Sequence, residues 1–333
     1  MRLGVIGAGL AGLACARRLN AAGHLVQVFD KGRGPGGRLS TRRAETDLGQ
    51  VRFDHGAQYV TAETDGFQAE LRGMIDHEAA APYKARLVRM DGGEIKRMPA
   101  KNRFIGVPGM NALVRDLATD LDVTWGKRAT AIVGDPWARR IKFEDGGEAG
   151  PFEAIIVAVP AEQVADLVRP LAPQIATEAE AARSSPTWAL MAVFDQDVDP
   201  GFDGAQLEGP TLSWIARERV KPGRADIEAW TAHAHPDWSK AHVEDDAEAV
   251  AQALSEALQT IIQAPKPVYA KAHRWRYARV ETTASSDFAF DEDAHLGVCG
   301  DWRIGAKAEA AWRSGDALGA HLNERLALLA SSA

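Results

Sequence analysis

The first 31 residues constrain this chain more than any other stretch. A short apolar run ends at Ile6, Gly7-Ala8-Gly9-Leu10-Ala11-Gly12 follows, a helix-like segment comes next, and Val26-Gln27-Val28-Phe29 closes on Asp30. Strand, glycine turn, helix and a second strand ending on an acid predict a dinucleotide-binding α/β unit at the N-terminus. Each glycine has a separate reason. Gly7 permits the tight turn, Gly9 lets a diphosphate approach the backbone, and Gly12 lets the helix lie close to the strand. Leu10 and Ala11 then supply free amides in the first helical turn. Asp30, 23 residues after Gly7, is placed to accept hydrogen bonds from a ribose.

The next block, Lys31-Gly32-Arg33-Gly34-Pro35-Gly36-Gly37-Arg38-Leu39-Ser40-Thr41, cannot form regular structure, because glycine and proline interrupt it. Its arginines and hydroxyls are anion donors. Lys31, Gly36, Gly37, Arg38, Ser40 and Thr41 are therefore expected to wrap the far side of the diphosphate. A short strand, Val51 to Tyr59, breaks at Gly56. Beyond it lie an expected helix over 67–77 and a hairpin turning at Asp91-Gly92-Gly93.

A helix is expected from Pro108 to about Thr119, and a buried parallel strand over Phe152–Val159, where apolar residues are nearly uninterrupted. From Pro186 the pattern changes. Strands at 187–194, 212–216, 227–232 and 268–275, with one long amphipathic helix over 244–264, predict a separate mixed or antiparallel sheet. Leu296 to Asp301 returns to a buried strand, and a helix follows from about Ala308. The expected division is a discontinuous cofactor unit, 1–60, 105–182 and 291–333, and a substrate unit, 61–104 and 183–290.

The chain has 333 residues, 39 basic against 46 acidic, for a net charge of -7. That balance argues against nucleic acid or an anionic membrane as partner. No apolar run is long enough to span a bilayer, and the first apolar stretch is committed to the cofactor fold rather than to a signal peptide. Cys15 and Cys299 suggest no disulfide framework and fit a reducing cytoplasm. No metal-ligand constellation is present in the sequence, since His233 and His235 lack further ligands. No obligate protein partner is evident.

Taken together, these motifs resemble the flavin-dependent amine oxidase superfamily, and over nearly the full length the bacterial renalases. The resemblance rests on Phe29-Asp30-Lys31, Gly36-Gly37-Arg38, Gly56-Ala57-Gln58-Tyr59, Pro108-Gly109-Met110, Pro186-Thr187-Trp188, Trp214-Ile215-Ala216-Arg217, His273-Arg274-Trp275 and Cys299-Gly300-Asp301-Trp302. It implies a p-hydroxybenzoate hydroxylase-like, two-domain α/β flavoprotein with a Rossmann-like FAD domain and a mixed or antiparallel-sheet substrate domain. Gly56, Ala57, Gln58, Ala129, Gly300, Asp301, Glu309, Ala310 and Ala311 then join the expected FAD-binding set. Most members carry Glu where this chain has Asp30. No cysteine at the C-terminal signature could attach the flavin, so FAD is expected to be non-covalent.

The implied activity is oxidation of 2-dihydro and 6-dihydro isomers of NAD(P)H to NAD(P)+, with O2 becoming hydrogen peroxide. Such a substrate needs no general base, because its ring nitrogen lone pair expels a hydride and leaves an aromatic cation. The protein's task is then to stack and orient a ring. Tyr59, Trp188, Trp214, Trp275 and Trp302 are candidate ring-binding surfaces, or core packing. His233 is a candidate donor to a carboxamide or phosphate, or a satisfied core histidine. Arg217, Arg274 and Arg276 are candidate diphosphate clamps, or solvated charges. Amine oxidation and non-catalytic flavin binding are the competing readings.

Overall fold

The computed structural model describes residues 1–99, 101–284 and 286–331. At its centre is a six-stranded sheet in the order Asp122–Trp125, Leu25–Asp30, Arg2–Ile6, Ala154–Val157, Leu296–Val298 and Ala289–Asp291. The first five strands run parallel and the last is antiparallel. Val5, Val28, Ile156 and Val298 are buried, as strands covered on both faces require. The helices Leu10–Ala21 and Ala308–Ser331 pack on one face, whose core contains Leu13, Cys15 and Leu318. Ala161–Val168 and Pro173–Ala181 cover the other.

The expected strand over Phe152–Val159 is in fact two. Glu148–Phe152 joins a three-stranded antiparallel sheet, and Ala154–Val157 enters the central one. Glu153 between them turns its carboxylate to the backbone N–H of Arg2 at 2.6 Å. Apolar content alone could not reveal this change of sheet.

A second sheet of seven strands runs Tyr269–Thr282, Arg183–Val193, Ala229–Ala234, Leu212–Arg217, Gly204–Leu207, Leu87–Asp91 and Glu94–Arg97. It is antiparallel except where Gly204–Leu207 meets Leu87–Asp91. The helix Ala247–Ile262 covers one face, burying Val250, Leu254 and Leu258 against Leu190, Ile215 and Trp230. Asp246 caps that helix through the N–H groups of Glu248 and Ala249. Against the opposite face lies the hairpin formed by Thr41–Thr46 and Gly49–Asp54, with Phe53, Met191, Val193 and Ala229 in one apolar cluster.

Candidate active site

In parallel α/β sheets, ligands bind beyond the carboxyl ends of the strands. Here that edge gathers Gly7, Asp30, Ala158 and Gly300. The glycines of the first turn divide into two kinds. A Cβ on Gly12 would stand 1.9 Å from the Gly7 carbonyl oxygen, and one on Gly7 would stand 2.4 Å from that of Ala158, at a φ of +106°. Both are needed for packing. A Cβ on Gly9 would meet nothing within 4 Å, and one on Gly37 would find only Gly9 Cα, at 4.0 Å.

A glycine-lined gap therefore separates the helix start at Leu10 from the Gly36-Gly37-Arg38 loop. The helix has no side-chain cap and no acid in its first turn, leaving amides and a positive dipole end facing the gap. This donor set fits a diphosphate. Beside Gly300, the Trp302 Nε1–H is buried without a partner. Arg38 donates from both terminal nitrogens to Asp301, at 2.8 and 2.6 Å, joining the N-terminal loop to the end of Leu296–Val298. Gly56 packs on the same loop, since a Cβ there would lie 2.1 Å from the Arg38 carbonyl.

Several expected cofactor contacts are otherwise engaged. Asp30 accepts the N–H groups of Ala8 at 2.7 Å and Gly32 at 2.6 Å, so its carboxylate shapes the loop. Lys31 donates to Gln163. Ser40 donates to the Gly37 carbonyl and Thr41 to Asp54. Gln58 donates to the Asp54 carbonyl and accepts from Lys221. Glu309 accepts from Glu63 and Thr64, capping the helix Asp65–Asp76. Burial opposes its ionisation, yet these bonds hold its carboxyl below the usual range. Ala129 opens the strand Ala129–Val133, while Ala310 and Ala311 lie in the first turn of the last helix.

Across the second sheet, Trp214, His233, Ala189 and His273 fall in one row of paired residues. Because side chains alternate along a strand, Trp275 shares their face. This face meets His55 to Tyr59. His233 Nε2 donates to the His55 carbonyl at 3.2 Å and Trp275 Nε1 donates to the same oxygen at 2.9 Å. The His55 ring lies 4.8 Å from that of His273 and 5.1 Å from Trp275, and Tyr59 lies 5.7 Å from Trp214.

The same alternation removes four candidates. Trp188 pairs with Arg274 and points to the opposite, helix-covered face, where its Nε1 donates to the His242 carbonyl. Arg217 is buried there against Glu228 and Asp197, and Arg274 and Arg276 share Glu244. Trp302 is 1% exposed, inside the core of the first sheet with the Arg303 guanidinium 4.9 Å from its ring. It cannot present a face to a substrate.

Sequence reasoning singled out neither His55 nor His273, although the alternate spacing of His273 and Trp275 was a usable signal. Burial, together with the charges of His273 and Arg42, pushes His55 down to about 3. Burial pushes His233 to about 4, and burial with Arg42 pushes His273 to about 4. All three are neutral at pH 7. Since the folded pKa values lie below the ordinary 6.5, the native state binds fewer protons than the unfolded chain between them. Stability is therefore complete above about pH 6.5 and declines as pH falls toward 4, by about 1.4 kcal/mol per pH unit for each histidine. Thermal melts over this window should show a shallower decline for His273→Gln than for the parent. Equal slopes would rule out that linkage.

A Rossmann-like unit with a glycine-lined cofactor edge, joined through His55 and Gly56 to a mostly antiparallel second sheet, defines the two-domain flavoprotein class. Residues 5–77 match the NAD(P)-binding Rossmann-like domain model, and residues 73–316 match flavin containing amine oxidoreductase. The chain belongs to this flavin containing amine oxidoreductase family, and its cofactor is FAD.

The L-amino-acid oxidases of Pseudechis australis and Notechis scutatus scutatus are 33% and 32% identical over 108 and 105 residues. These matches cover 31% and 30% of this chain, and the chain spans about a fifth of each relative's length, 21% and 20%. A redesigned putrescine oxidase superposes with a TM-score of 0.76 at 14% identity, covering 97% of this chain and 99% of the other. Cyclohexylamine oxidase from Brevibacterium oxydans gives 0.75 at 11%, covering 98% and 99%. Among the described residues, no group of three or more His, Cys, Asp or Glu side chains could hold a metal ion, and no helix is long and apolar enough to cross a membrane.

Proposed function

We propose that this chain is a renalase-like oxidase of 2-dihydro and 6-dihydro isomers of NAD(P)H. FAD, when bound, supplies the hydride acceptor and passes the electrons to O2, giving hydrogen peroxide. One observation carries the choice of substrate: the face bearing Trp214, His233, His273 and Trp275 is aromatic with neutral imidazoles, and the cations at its edge include Arg42 and Lys271. Lys271 shares the His273 face by strand alternation, and Arg42 is opposite Phe53, which stacks on Tyr269 at 6.2 Å. Neither has a carboxylate within ion-pair distance among the described residues. Such an edge attracts a diphosphate and repels an ammonium.

In this reading Tyr59, Trp214 and Trp275 orient the ring, and the neutral imidazoles offer hydrogen bonds to its carboxamide without taking a proton. Arg42 and Lys271 replace Arg217, Arg274 and Arg276 as diphosphate clamps. The cofactor unit comprises 1–60, 105–182 and 291–333, and the substrate unit 61–104 and 183–290. The free, buried Cys15 and Cys299 suit a cytoplasmic location. Oxidation of an amine is the second reading, supported by the fold likeness to putrescine oxidase.

Anaerobic mixing separates the two. The dihydro isomers should bleach the flavin rapidly and amines should not, with a reduction rate independent of pH above about 6, since the histidines stay neutral. Arg42→Gln should raise KM for the dinucleotide about tenfold and leave the limiting rate unchanged. Bleaching by amines alone would overturn the proposal.

A further inference from the structure

On the outer side of the same hairpin, Arg43, Arg52 and Arg115 line one concavity of about 90 Å³ together with Thr41, Pro108 and Asn111. The arginines come from three elements: the two hairpin strands and the helix Asn111–Leu117. Arg43 and Arg52 are directly paired across the strands, an arrangement in which like charges destabilise a hairpin. None of the three makes an ion pair among the described residues, and the acids closest in sequence, Glu45 on the same face of the hairpin included, have other partners. Glu45 accepts from Gln50, Asp116 contacts His77, and Asp54 is buried between Thr41, Lys221 and Arg224. Asp54 and Glu218 are themselves matched by Lys221 and Arg224, so they do not neutralise the trio.

We propose that this concavity binds a phosphoryl dianion, either inorganic phosphate or the phosphate of a phosphomonoester. Guanidinium forks from three directions suit a tetrahedral oxyanion, and the volume holds one phosphoryl group, leaving the rest of an ester outside. Bound there, the dianion relieves the repulsion between Arg43 and Arg52. The site is distinct from the diphosphate gap at Gly9 and Gly37, and it lies on the opposite side of the hairpin from Arg42.

The test is thermal melting of the FAD-loaded protein in sodium phosphate, in adenosine 5′-monophosphate, and in sodium chloride at equal ionic strength. Phosphate should raise Tm by about 2 to 4 °C over chloride when the site is nearly saturated. The nucleotide and inorganic arms show which source binds more tightly. Arg43→Gln and Arg115→Gln should each lose this increment, and Arg43→Gln should melt no lower than the parent in chloride. Equal melting in phosphate and chloride, or an increment that survives in both variants, would overturn the proposal.

Discussion

Gly9→Val is expected to yield a folded protein that purifies colourless. The backbone at Gly9, with φ of -85° and ψ of -176°, is open to any residue, and a side chain there would meet no protein atom within 4 Å. It would occupy instead the gap beneath Gly37, where the first-turn amides await a diphosphate. Removing that approach should weaken FAD binding by about two orders of magnitude or more, roughly 3 kcal/mol, with the FAD-free melting temperature unchanged. Gly12→Val should behave oppositely, because its Cβ would overlap the Gly7 carbonyl and force the helix off the strand. Titrating FAD into refolded protein while following flavin fluorescence separates the cases. Parent-like affinity in Gly9→Val would refute the location of the diphosphate.

Asp54→Ala is expected to produce the largest loss of stability. Asp54, Glu218, Lys221 and Arg224 form a cluster in which no side chain is more than 2% exposed. Asp54 accepts from Lys221 at 3.1 Å, from Arg224, from Thr41 at 2.7 Å and from the Met110 N–H at 2.9 Å. Glu218 accepts from Thr231 and from the Asp54 N–H, and its other oxygen forms an ion pair with Lys221 at 2.9 Å. Removing one carboxylate leaves two cations sharing the other, an uncompensated buried charge worth about 3 to 5 kcal/mol. Asp54→Asn combined with Lys221→Met restores neutrality and should lose less than the sum of the two single changes. Urea unfolding of all four proteins measures that coupling. Additive losses would mean that the charges act independently.

The central fold was legible because its signals are local. The first turn, the two strands beside it and the amphipathic helix expected over 244–264 each declare themselves within a few residues, by glycine placement or by period. The second sheet was legible as strands but not as faces. Alternation in Trp188-Ala189-Leu190 or His273-Arg274-Trp275 separates two sides, but nothing local tells which side the helix Ala247–Ile262 will cover. Hence Trp188, Arg217 and Arg274 stood beside Trp214, His233 and Trp275 as equal candidates until the helix was placed. Arg42 was passed over for a similar reason: its value lies in standing across from His273, not in its neighbours along the chain.

The sequence alone determined the dinucleotide turn and the main strands and helices around it, since backbone conformation and hydrophobic period depend on residues close together in the chain, and its motifs carried the resemblance to flavoproteins. Only the tertiary structure decided which side chains remain free for a ligand. Gln58, Thr41 and Glu309 are committed to partners brought from elsewhere in the chain, and Asp54 meets a lysine 167 positions away. Whether a polar group is spent on the fold or left for chemistry depends on charges and donors that meet only when the chain closes on itself.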